Sequence, residues 1–138
     1  MRSYGLMFHH FGLAVAKKEQ ARKFLAGLGY TLGEELHDPL QKVRLCMATH
    51  PAMPAVELIT KSDEPGPLEH ILQDAPERIY HLCFHTENLE HTLAAIKQDG
   101  HRLICISKPK PAILFDGKQV AFYVVTGFGL IEILILQG

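Results

Sequence analysis

The chain lacks the marks of several protein classes. Its three cysteines, Cys46, Cys83 and Cys105, are odd in number and widely spaced, which argues against a disulfide framework. Each lies in an apolar, strand-like run, which predicts reduced, buried thiols and a cytoplasmic protein. The formal net charge is −1 and no basic block exists, so the electrostatic footprint of a nucleic-acid binder is missing. No apolar run reaches membrane-spanning length, and the N-terminal MRSYGLMFHH lacks a signal-peptide pattern. A partner that is neither nucleic acid nor membrane is therefore expected.

What remains is ample for a core. The 138 residues fit one domain, and 47% apolar content argues against disorder. Histidines number 9. Five of them, His37, His50, His70, His91 and His101, sit in polar or turn-like context and are expected at the surface.

The chain repeats itself. The stretch beginning at His9, HHFGLAVAKKEQARKFLAGLGYTLGEE, and that beginning at Tyr80, YHLCFHTENLEHTLAAIKQDGHRLICI, follow one plan. At an offset of 71, His10 meets His81, Leu25 meets Ile96, Gly29 meets Gly100 and Leu32 meets Leu103. A strand leads into an amphipathic helix, then a glycine, then another strand. Phe24, Leu25 and Leu28 are the expected apolar face of the first helix; Leu89, Leu93 and Ile96 that of the second. Gly29 and Gly100 fit the left-handed position just past a helix end.

Three strand-like runs follow each helix: YTLGEEL, QKVRLCMA and AVELIT, then HRLICIS, QVAFYVV and GLIEILIL. HDPL, THPAMP, KPKP, FDGK and TGFG supply the turns. The expected fold class is α+β, with two tandem βαβββ modules forming an eight-stranded open barrel-like sheet around a metal cleft. Module 1 spans about 8–61, a connector with a short helix about 62–78, and module 2 about 79–137, all within one domain, 1–138.

Four polar groups stand in apolar strands: His10, His81, Glu57 in AVELIT and Glu132 in GLIEILIL. The glutamates are offset by 75, close to the 71 of the histidines, so each module offers one of each. Period-2 geometry places Phe11, Leu13 and Val15 under the helix, with His10, Gly12 and Ala14 opposite. His81, Cys83 and His85 share the corresponding face, and the two glutamates point the same way. His9 then faces away from His10. An ionised glutamate in an apolar strand is costly unless paired or metal-bound. Two imidazoles and two carboxylates suit a divalent transition metal such as Zn, Ni, Co or Mn. Taken singly, each has a blander reading: a satisfied core histidine, an edge-strand Glu57 in water, a Glu132 paired with lysine. Their duplicated placement favours the metal.

The sequence resembles the vicinal oxygen chelate superfamily, which includes glyoxalase I, methylmalonyl-CoA epimerase, extradiol dioxygenases and the bleomycin resistance proteins. FHHFGLAV, AVELIT, RIYHLCFHTENLE and VAFYVVTGFGLIEIL are similar to its four ligand-bearing strands, in order. The resemblance implies metal ligands at His10, Glu57, His81 and Glu132. The connector GPLEHILQD and QKV (41–43) resemble the epimerase. Some epimerases carry a glutamate base on the strand matching VRLCM; this chain has Arg44, Leu45 and Cys46 there.

The resemblance implies an enzyme: a metal-dependent isomerase or lyase stabilising the enolate of a small 2-oxo or acyl-thioester substrate, like methylmalonyl-CoA epimerase or glyoxalase I. Glu132 and Glu57 are the candidate catalytic carboxylates, with Glu132 a ligand that loosens to act as base. The alternatives are a non-haem iron dioxygenase and a small-molecule binding or resistance protein of the same fold. A homodimer is expected. Arg44 is a candidate anchor for a substrate carboxylate, or a partner of Glu34 or Glu35. Lys108, Lys110 and Lys118 read as a solvated loop, with coenzyme A phosphates as the sharper alternative. Cys83 and His85 read as packing or pocket lining.

Overall fold

Residues 2–136 are described by the structure, a computed structural model. They divide into two compact units, His10–Tyr80 and a second formed by residues 2–9 with 81–136. Helices and strands follow the expected α+β order. The expected end of module 2 at Gln137 lies outside the described residues. Among the described residues no helix is long and apolar enough to cross a membrane.

In the first unit, strand β1 (Met7–Val15, which begins in the other unit) leads into α1 (Lys18–Gly27). Then come β2 (Thr31–Leu32), β3 (Leu36–Asp38), β4 (Val43–Thr49) and β5 (Ala55–Lys61). Sheet order is β2-β4-β5-β1, with β3 also on β4. YTLGEEL was expected as one strand, and it splits. Gly33 lies over β4, where a Cβ would come within 3.0 Å of the Met47 carbonyl oxygen. Gly33 still donates its N–H to that carbonyl at 2.9 Å; past it the chain leaves the ladder and rejoins it as β3. Among the described residues there are nine strands rather than eight.

The connector carries α2 (Leu68–Ile71), anchored by Leu68 at 1% exposure. The second unit holds β6 (Glu77–Thr86, from His81 onward), α3 (Leu89–Gln98), β7 (Leu103–Pro111), β8 (Gln119–Val125) and β9 (Gly129–Ile135). The order is β6-β9-β8-β7. KPKP, expected as a turn, belongs to β7. Pro109 and Pro111 are tolerated because β7 ends this run of strands and its register slips at Ser107 and again before Lys110. Lys108, Lys110 and Lys118 are exposed, as expected.

The cores follow the alternation of the strands. Phe11 and Leu13 pack with Leu25, Tyr30, Ala48 and Val56. In the second unit Phe84, Leu89 and Leu93 pack with Ala121, Tyr123, Ile131 and Ile133. Leu25 and Ile96 are both buried, as their matching positions predict. The rest of the α1 face departs from expectation: Phe24 is 69% exposed and Leu28, past the helix end, 44%. Ala21 and Leu25, four residues apart, are the residues that α1 presents to the core.

Gly29 and Gly100 have φ of +101° and +91°, the left-handed values that end each helix. His50, expected at the surface, is half-buried. Its Nδ1 accepts the backbone N–H groups of Ala52 and Met53 at 2.9 and 3.1 Å, and its Nε2 meets the Leu28 carbonyl at 3.1 Å. It thus pins THPAMP to the end of α1. Cys105, expected buried, is exposed, because β7 has a neighbour strand on one side only within its unit.

Leu25→Ala should destabilise the fold by about 2–5 kcal/mol, whereas Phe24→Ala should stay within about 0.5 kcal/mol. Chemical denaturation of both variants checks this. A thiol reagent should modify Cys105 rapidly in the native protein, and Cys46 and Cys83 only after denaturation.

Candidate functional site

Each unit holds a buried imidazole–carboxylate pair, and the two pairs are built alike. β1 and β5 run parallel with Gly12 opposite Glu57, so His10, two residues before Gly12, lies diagonally across the same face. His10 Nε2 and Glu57 Oε1 are 3.2 Å apart, at 0% and 3% exposure. In the second unit β6 and β9 run parallel with Cys83 opposite Glu132. His81, two residues before Cys83, takes the same diagonal, with Nε2 and Glu132 Oε1 at 2.9 Å. His81 and Glu132 are 3% and 1% exposed.

Parallel pairing is what makes the diagonal possible. It offsets the two strands so that a residue two places earlier on one reaches the glutamate of the other. Reversing either strand would send the histidine away from its acid. Phe122 on β8 pairs with Glu132 across the ladder and lies edge-on to the His81 ring, centroids 5.4 Å apart. Sequence reading missed this contact, although the alternation in QVAFYVV places Phe122 on the same face.

A buried carboxylate beside a buried imidazole must recover the desolvation of both groups. The 2.9 Å contact of the second pair lacks hydrogen-bond geometry, whereas in the first pair, when Nε2 carries hydrogen, it donates to the carboxylate. When it does not, its lone pair and the carboxylate oxygen face one point, as ligands of a shared cation do. Donors at about 2.0–2.2 Å from one ion and at right angles stand about 3 Å apart. Both pairs have that spacing, so the residues fit a divalent metal.

The other sequence-predicted residues fall elsewhere. Arg44 faces away from Glu57: on β4 it pairs in register with Thr60, whereas Met47 pairs with Glu57. Its guanidinium donates to Asp63 at 3.2 Å, not to Glu34 or Glu35; Glu35 instead accepts from Lys18 at 2.8 Å. The glutamate's face of β4 therefore presents Leu45 and Met47 and no acid. Cys83 packs among Ala112, Val120, Phe122 and Leu134. The His85 ring lies edge-on to His9, centroids 6.0 Å apart.

Two tyrosines hold their protons more tightly than usual, both away from these pairs. The Tyr4 hydroxyl donates to Asp99; that bond, then burial and the Asp99 charge, raises its pKa above 10.0. Burial, then the neighbouring Cys105, raises that of Tyr123.

The chain is thus a duplicated α+β protein with one buried imidazole–carboxylate pair per copy. It belongs to the glyoxalase/bleomycin resistance protein/dioxygenase superfamily, whose sequence model matches residues 9–122. Solved structures share the fold. The methylmalonyl-CoA epimerase of Mycobacterium tuberculosis is 22% identical over 95% of this chain and 87% of its own, with a TM-score of 0.74. A hypothetical protein of Bacillus halodurans C-125 is 24% identical over 96% of both chains, with a TM-score of 0.78. Streptomyces coelicolor methylmalonyl-CoA epimerase in complex with 2-nitronate-propionyl-CoA is 19% identical over 93% of this chain and 95% of its own, with a TM-score of 0.72. No curated protein matches the chain.

Truncating one member of a pair strands the other in an apolar strand. His10→Ala and His81→Ala should each cost about 3–5 kcal/mol when measured by denaturation in a chelator. Glu57→Gln and Glu132→Gln, which keep shape and a polar partner, should cost less.

Proposed function

We propose that His10, Glu57, His81 and Glu132 together hold one divalent cation, and that the protein is a metal-dependent isomerase or lyase. Its substrate would be a small 2-oxo compound or acyl thioester whose α-carbon loses a proton to give an enolate. The observation that carries this reading is the twin diagonal: the same buried pair recurs at register-equivalent places in both modules. All four residues are at most 3% exposed, and a shared cation would offset the desolvation of both carboxylates.

A divalent cation in such a site supplies Lewis-acid charge beside the substrate carbonyl. The chain's own groups would do the rest. The Glu132 carboxylate, released from its ligand role, accepts the proton from the α-carbon and returns it to the same carbon or a neighbouring one. His81, edge-on to Phe122, holds that carboxylate in place. Burial excludes water and strengthens each charge interaction around the reacting carbon. Glu57 holds His10 in the other pair. With Leu45 and Met47 beside Glu57 where some epimerases place a second base, proton removal and return fall to one carboxylate. The acyl-thioester class gains support from the complexes of the structural neighbours with 2-nitronate-propionyl-CoA and methylmalonyl-CoA. A homodimer belongs to the same reading.

The purified protein should contain close to one equivalent of transition metal, read by elemental analysis. Loaded enzyme should wash deuterium from solvent into the α-carbon of one of a panel of methylmalonyl-type thioesters or 2-oxo hemithioacetals. Glu132→Gln should slow that exchange by at least about 100-fold. Oxygen uptake with a catechol, and no exchange on any panel member, would replace this reading with the dioxygenase one.

A further inference from the structure

The two modules differ at one position in a way the repeat makes visible. Asn88 caps α3, its side chain accepting the backbone N–H of His91 at 3.0 Å. At the offset of 71 the matching residue is Lys17, which caps α1 with no side-chain hydrogen bond. The first N–H groups of α1 lack the partner that the second module supplies. Lys18 follows in the first helical position. Cations there oppose the helix dipole, which favours negative charge at this end.

A cavity of about 280 Å3 opens at this helix end, lined by Ala16, Lys17, Lys18, Glu19, Arg44, Thr60 and Lys61. Thr60 is 9% exposed, and among the described residues no group hydrogen-bonds its hydroxyl. The side chain is nine-tenths buried, and its hydroxyl, accessible from the cavity and without a protein partner, is free to bond a ligand atom there. Glu19 is the one carboxylate in the lining. Glu35 and Asp63 reach Lys18 and Arg44 from outside it, which leaves Lys17 and Lys61 as ammonium groups with no acidic partner among the described residues. Thr60 and Arg44 pair in register on the face of β4 and β5 opposite Glu57, so this cavity is distinct from the glutamate's face.

We propose that this cavity is an anion site for a phosphate group, either the free ion or a phosphomonoester. The phosphate oxygens accept from the open N–H groups of α1 and from the Thr60 hydroxyl, and Lys17, Lys61 and Arg44 balance its charge. The anion acts as the cap that Asn88 provides in the other module. The site stands independently of the enolate chemistry.

The test is an amide NMR titration of the full chain with sodium phosphate at pH 7, against sodium chloride at matched ionic strength. Phosphate should give saturable shifts at Lys18, Glu19, Gln20, Thr60 and Lys61 that chloride does not. Thr60→Val and Lys61→Gln should each raise the apparent Kd at least five-fold. Lys61→Gln changes an exposed side chain, so the result does not depend on how the buried variant folds. A third arm with AMP separates the sources. AMP binding at least five-fold tighter than phosphate assigns the site to a phosphomonoester; equal or weaker binding assigns it to the free ion. Shifts that follow ionic strength alike in chloride, or a Kd unchanged in both variants, would overturn the proposal.

Discussion

Parallel strand register is the constraint on which the candidate site depends. Glu57 and Glu132 reach histidines because β5 runs parallel to β1 and β9 runs parallel to β6, each glutamate opposite the residue two places after a histidine. A one-residue slip in either ladder would turn the glutamate to the helix side and bury a charge among leucines and isoleucines. The apolar neighbours Val56, Leu58, Ile131 and Ile133 hold the register, since each must reach its own core. Packing on one face thus places the chemistry on the other.

Duplication gives this constraint its meaning, and divergence between the copies shows where each has been put to separate use. Gly12 stands opposite Glu57, and Cys83 opposite Glu132, so one pair has a glycine beside it and the other a thiol set in an apolar cluster. One helix begins on an asparagine that satisfies its own N–H groups; the other begins on two lysines that cannot. The shared frame makes such differences readable as chemistry.

The histidines show how context outranks residue type. His10 and His81 lie in strands that would be unremarkable cores but for one imidazole each. His50 looks like a loop residue and is a structural pin, accepting two backbone N–H groups that no other side chain reaches. His85 shares the His81 face and meets another aromatic ring. Position in the ladder, not the imidazole, separates these roles.

Much of the fold was legible in the sequence because it rests on local signals. Alternation marked the strands, the glycines after Leu28 and Asp99 marked the helix ends, and the offset of 71 exposed the duplication. The four polar residues in apolar strands could be named for the same reason, since an uncompensated charge is conspicuous against its neighbours. What the sequence could not decide was settled by non-local contact. Past Gly33, which is still bonded to Met47 of β4, the chain leaves the ladder before rejoining it, so one expected strand becomes two. The terminal place of β7 in its run of strands left Cys105 in solvent. Register between β4 and β5 turned Arg44 away from Glu57 and toward Asp63. Each of these depends on which strand lies beside which, and no window of the chain contains that information.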